Sequence, residues 1–134
     1  MLIDTDVLIW YLKGNTAAQK IIDAAESFSI SAVTYMELVQ GMRNKAELNA
    51  LRQALKAWGA KIIYINEEIS SKAIFYVEQL YLSHSIQLAD ALIAATDATY
   101  GQTLLTGNDK HYRPIKEISM KRFRPSEGNS RKKY

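Results

Sequence analysis

Short β-rich runs alternate with segments of helical spacing along the whole chain, and this alternation limits the fold more than any other feature. Leu2–Thr5, SFSISAV at 27–33, KIIYI at 61–65 and TLLT at 103–106 read as strands, with a weak fifth near Ile118–Phe123. Between them Val7–Leu12, Thr16–Ser27, Thr34–Asn44, Ala46–Trp58, Glu67–Ser83 and LADALIAATDATY at 88–100 read as helices. Leu48, Leu51, Leu55 and Trp58 fall on one face of the fourth helix, and Gly59 stops it. Strands and helices alternate in this way when a parallel sheet is covered on both faces. The 134 residues suffice for one core and not for two. The chain is therefore expected to be α/β, with one domain over 1–124 and a basic, disordered tail over 125–134.

Parallel sheets bind ligands beyond the carboxyl ends of their strands, so acids at those ends are the first place to look for chemistry. Asp4 closes the first strand, Glu37 follows the second, Asp90 opens the helix at 88–100, and Asn108-Asp109 follow TLLT. Several have an ordinary structural reading. Thr34 with Glu37 spells a helix capping box, Asp90 complements a helix N-terminus, Asp6 reads as the N-cap of the 7–12 helix, and Asp109 caps a short turn. Asp97, two turns beyond Asp90, is expected in solvent or in an ion pair. Asp4 alone has no structural role legible in the sequence, and burying an unpaired carboxylate costs several kcal/mol.

Two carboxylates about 4 Å apart repel by roughly 4 kcal/mol at an effective dielectric near 20. Three crowded together need a counter-charge. The chain has no cysteine, so an all-oxygen set of this kind suits Mg²⁺ or Mn²⁺ rather than zinc. The absence of cysteine also fits a reducing cytoplasm. No run reaches the ~20 apolar residues of a membrane span, and no signal peptide is expected. The formal charge of +3 is uneven: residues 110–134 carry nine Lys/Arg against two Glu, whereas 1–109 carry eight against twelve acids. An acidic body with a basic end suits a polyanion held near a cation.

Four motifs in order, LIDTDVLIWYL, then Ser31-x-x-Thr34-x-x-Glu37-Leu38-x-x-Gly41, then LADALIAA, then LLTGNDKHYRPI, resemble the PIN-domain ribonucleases, and among them the VapC-type toxins of toxin–antitoxin pairs. The resemblance spans nearly the whole chain. It implies a three-layer α/β/α fold on a parallel sheet of about five strands. It also implies Mg²⁺- or Mn²⁺-dependent endonuclease action on RNA, a homodimer, and inhibition by a small antitoxin whose tail enters the acidic groove. Matched motif by motif, Asp4, Glu37 and Asp90 carry the acidic triad, holding metal and orienting water. Asn108 or Asp109 fills a fourth position, Asn108 as ligand or Asp109 as catalytic acid. Asp6 and Thr106 support the ligands from behind. Where many relatives read Asp-Phe this chain reads His111-Tyr112, so one tight ion is expected, joined by a second only with substrate. Water activated by the metal then attacks in line, leaving 5′-phosphate and 3′-hydroxyl ends.

Arg43, Lys45, Lys110 and Arg113 are placed to contact RNA phosphates around the groove. Tyr11, Tyr35 and Tyr112 are available to stack on unpaired bases, although helical spacing favours packing for Trp10 and Tyr11. His84 and His111 are expected to be structural or on the surface. Two alternatives remain: a PIN-like module that binds RNA or protein without cutting, and a haloacid-dehalogenase-type phosphatase built on DTDVL.

Overall fold

Asparagine side chains cap three of the helices. The side chains of Asn15, Asn44 and Asn66 accept hydrogen bonds from the backbone N–H of Ala18, Glu47 and Ile69, satisfying donors that a helix N-terminus leaves unpaired. In the computed structural model of the protein, which describes residues 1–126, these helices belong to the sequence β1 (Leu2–Ile3), α1 (Thr5–Leu12), α2 (Thr16–Ala24), β2 (Ser29–Ser31), α3 (Ala32–Gln40), α4 (Lys45–Ala57), β3 (Lys61–Ile63), α5 (Glu67–His84), α6 (Leu88–Tyr100), β4 (Thr103–Thr106), α7 (Asp109–Tyr112) and β5 (Ser119–Arg122). Gly101 ends α6 in the left-handed conformation, at φ 59°, where a side chain would be strained.

The five strands form one parallel sheet in the order β3-β2-β1-β4-β5. Leu2 pairs with Leu104 and Ile3 with Leu105. Successive strand residues face opposite ways, so Leu2 and Leu104 enter one core with Ile69, Tyr76 and Ile93 of α5 and α6. Ile3 and Leu105 enter the other core, with Val7, Leu8, Ile22 and Leu55 from α1, α2 and α4. Helix α3 contributes to both, through Val33 on one side and Leu38 on the other. This is the expected three-layer arrangement. Strand order reverses between β1 and β4, the place where such sheets open a crevice at their carboxyl edge.

Boundaries moved where a cap lay earlier than the apolar spacing suggested. Helix α1 starts at Thr5 rather than Val7, with Asp4 as its N-cap. Helix α3 starts at Ala32 because Ser31 caps it, its side chain accepting from Val33 N. This shortens β2 and places Glu37 in the second turn, so the Thr34–Glu37 capping box does not form. Ser126 exchanges two 3.4 Å hydrogen bonds with the Asn15 side chain. Residues 127–134 of the expected tail lie outside the described residues. Among the described residues no helix is long and apolar enough to cross a membrane.

Candidate active site

Each acid reaches the crevice on a different element. Asp4 leaves the end of β1 and is 3% exposed. Its Oδ1 accepts from Thr5 N at 2.8 Å and its Oδ2 from the Thr106 hydroxyl at 2.7 Å. Asp4 therefore does have a structural role: it caps α1. Thr106 in turn accepts from Asn108 N at 2.9 Å, tying the loop after β4 to the Asp4 carboxylate. Asp6 does not cap α1 as expected. It sits in the first turn and crosses to the same loop, its Oδ2 accepting from Gly107 N at 2.9 Å. Glu37 arrives from α3 and accepts the Thr5 hydroxyl at 2.6 Å, and that hydroxyl lies 3.0 Å from Thr34 Oγ1. Asp90, in the first turn of α6, points at α7 rather than at its own helix N-terminus. The Tyr112 hydroxyl donates to its Oδ1 at 3.3 Å, and His111 Nδ1 lies 3.4 Å from its Oδ2.

Tyr112 joins two of these acids. Its ring is fully buried, which rules out stacking on a base, and its hydroxyl lies against Asp4 as well as Asp90. Burial and those two carboxylates push its phenol far above the ordinary tyrosine range, so it remains a proton donor between them. A buried tyrosine brings a hydroxyl that the site must satisfy.

Electrostatically the cluster is strained. Burial first, then the neighbouring Asp6 charge, raise the Asp4 carboxyl to about 7. Burial also raises Asp6 and Asp90. The Asp90 charge adds to the shift at Asp6, while His111 opposes the shift at Asp90. Asp6 Oδ1 is shielded from solvent and has no hydrogen-bond partner. An orphaned buried carboxylate oxygen among other acids is what a divalent cation satisfies, and oxygen donors of this kind fit Mg²⁺ or Mn²⁺. Among the described residues no three carboxylate or imidazole groups already enclose one point. A cation would draw the side chains together.

The fourth position reads differently from the sequence expectation. Asp109 is held by two arginines, Arg124 Nη2 at 3.0 Å and Arg113 Nη2 at 2.9 Å, and Arg124 first, then Arg113, hold its carboxyl below the usual range. Each of its oxygens accepts from one guanidinium. These pairs tie α7 to the strap after β5. Asn108 is exposed and is engaged through its backbone. The fold brings His111 to Asp90, and its side chain is exposed, as one of the two expected readings had it. Of the four cations expected at the rim, Arg113 is thus committed to Asp109. Arg43 makes a two-pronged contact with Glu47, at 3.0 and 2.7 Å. That pair is exposed and so weakly bound that a phosphate can compete for it. Lys45 and Lys110 are exposed.

Gly107 is required by the close approach of Asp6. A Cβ there would lie 2.5 Å from Asp6 Oδ2 and 3.4 Å from Phe123 O. Gly107→Ala is expected to push the Asp6 carboxylate off the Gly107 N–H, costing about 1 kcal/mol of stability and several-fold in divalent-metal affinity. Calorimetric titration with Mn²⁺ beside thermal melts checks both effects. Unchanged affinity would mean that Asp6 plays no part in the cation site.

Fold and site together define a class, and comparison with known proteins identifies it. The PIN domain family model matches residues 1–117, and the chain belongs to that family. Ribonuclease VapC1 of Methanocaldococcus jannaschii is 30% identical to it over 125 residues, covering 90% of this chain and 85% of that protein. Ribonuclease VapC10 of Mycobacterium tuberculosis is 32% identical over 122 residues, covering 88% and 90%. Among solved structures, a toxin–antitoxin complex from Klebsiella pneumoniae superposes with a TM-score of 0.74 at 27% identity, covering 87% of this chain and 93% of that one. The phosphatase reading of DTDVL falls with this assignment.

Proposed function

We propose that this protein is a divalent-metal-dependent endoribonuclease and the toxin of a toxin–antitoxin pair, acting in the cytoplasm. The observation that carries the reading is the crowding of Asp4, Asp6 and Asp90 at the carboxyl edge of β1 and β4, each raised by burial, with an orphaned Asp6 oxygen and Glu37 one threonine away. The names of the two ribonucleases above agree with it.

Asp4 and Asp90 would hold the ion, with Asp6 behind them. A bound Mg²⁺ or Mn²⁺ supplies charge neutralisation at the phosphate and a lowered pKa for water. Glu37, half-buried and steered by the Thr5 hydroxyl, accepts the proton of the attacking water. Thr106 fixes the Asp4 carboxylate by donating to it, and Tyr112 donates to Asp90. Lys45 and Lys110, with Arg43 released from Glu47, take the flanking phosphates.

The antitoxin reading draws on a groove of about 570 Å³ between α1, α3 and α4. Ile9, Leu12, Leu38, Met42 and Leu51 line it, and Glu37 stands at its rim. An apolar segment lying there would bring its end to the acids. A homodimer would cover apolar side chains that α5 leaves exposed, Ile74, Phe75, Tyr81 and Leu82, and its mass in solution tests it.

Purified protein is expected to cut single-stranded RNA in MgCl₂ or MnCl₂, to stop in EDTA, and to lose the activity in Asp90→Asn. Cleavage that persists in EDTA or in the variant would overturn the proposal, and so would a failure to cut any member of a random RNA pool.

A further inference from the structure

The chain contains two histidines, and the fold sets one of them against an acid of the site. His111 enters α7 two residues after Asp109, and its backbone N–H is tied to Asn108 O at 2.9 Å. The ring then leans towards the first turn of α6, with Nδ1 3.4 Å from Asp90 Oδ2. The other Asp90 oxygen is taken by Tyr112. A pocket of about 270 Å³, lined by His84, Ser85, Ile86, Gln87, Asp90 and His111, opens beside the pair. It has room for an ion with several waters.

That separation of 3.4 Å is longer than either a direct hydrogen bond or a shared metal edge requires. An N–H···O bond between an imidazole and a carboxylate prefers about 2.7–3.0 Å. Two donors on one edge of an octahedral ion with bonds of about 2.1 Å stand about 3 Å apart. The side chain of His111 is 59% exposed and free to swing, that of Asp90 is 18% exposed and anchored by Tyr112. A few tenths of an ångström of ring movement would close the edge.

We propose that His111 Nδ1 and Asp90 Oδ2 form a mixed imidazole–carboxylate edge of the cation site, giving it a preference for Mn²⁺ over Mg²⁺. The inference rests on the proposal that the acidic crevice binds a divalent ion. Magnesium accepts nitrogen ligands poorly, whereas first-row transition ions gain from an imidazole among oxygen donors. An aspartate at position 111 would supply only oxygen and would add another negative charge to acids already raised by burial. The alternative is that His111 serves only as a counter-charge to Asp90; that role needs no bond between nitrogen and metal.

Pulsed electron paramagnetic resonance of the Mn²⁺-loaded protein separates the two. Imidazole nitrogen coupling is expected in the wild type and in His84→Ala, and is expected to vanish in His111→Asp and His111→Gln. Calorimetry is expected to show the Mn²⁺-to-Mg²⁺ affinity ratio falling about tenfold in His111→Asp. Circular dichroism of both variants checks that they fold. Mn²⁺ bound without nitrogen coupling, or coupling that survives both His111 substitutions, overturns the inference and leaves the nuclease reading standing. Failure of the wild type to bind Mn²⁺ at all would overturn both.

Discussion

An Asp97→Asn protein is expected to melt well above the wild type at pH 8 and no higher than it at pH 4. Asp97 is 1% exposed, and neither of its carboxylate oxygens has a hydrogen-bond partner. Burial raises its carboxyl from 3.8 to about 7, with the Met1 ammonium pulling weakly the other way. A carboxyl whose folded value lies above its unfolded value keeps a proton that the unfolded chain has already released. Its contribution to stability is therefore complete below about pH 4, declines across the window from 4 to 7, and is gone above it. A shift of this size corresponds to at most about 4 kcal/mol. Asparagine carries no charge at any pH, so the variant escapes that decline, although its buried amide still wants partners. Melting temperatures from pH 4 to 9 in chelator give the test, since the difference between the two proteins isolates Asp97 from the acids of the crevice. Parallel curves would show that Asp97 finds a partner when the protein is in solution.

Asp4→Asn is expected to cost about a thousandfold in RNA cleavage, roughly 4 kcal/mol of transition-state stabilisation. In chelator it is expected to leave the melting temperature unchanged or higher. The amide oxygen of asparagine can still accept from Thr5 N and cap α1, so the helix start survives. What disappears is one of several buried, mutually repelling charges. Millimolar Mg²⁺ or Mn²⁺ should then stabilise the wild type more than the variant, because only a group that binds the ion in the folded state contributes to that gain. A large loss of stability in chelator would mean that Asp4 holds the fold together through Thr5 and Thr106.

Much of this architecture could be read from the chain because the relevant signals are local. Strand runs, helical spacing and glycine stops gave the five strands and six of the seven helices of the described residues, and the placing of Asp4, Glu37 and Asp90 near strand ends followed from topology. The errors lay where a side chain's partner is distant in sequence. Asp6 was taken for a cap because its contact, Gly107, is 101 residues away. Asp109 reads locally as a site acid, and nothing nearby in the chain announces Arg124 as its partner. Asp97 reads as solvated or ion-paired because a helical wheel cannot say which faces a second layer will cover. Nothing local marks the contact of His111 with Asp90, because it depends on how α7 packs on α6.

The sequence by itself determined the order of elements, the parallel sheet and the pool of acids at its carboxyl edge, since periodicity and capping act over a few residues. Tertiary structure decided which of those acids remain without a counter-charge. Thr106, Gly107 and Tyr112 bind them, Arg113 and Arg124 neutralise Asp109, and His111 meets Asp90. The reason is physical: a carboxylate's proton affinity is set by burial and by charges within a few ångströms, and those neighbours come from segments that only folding brings together.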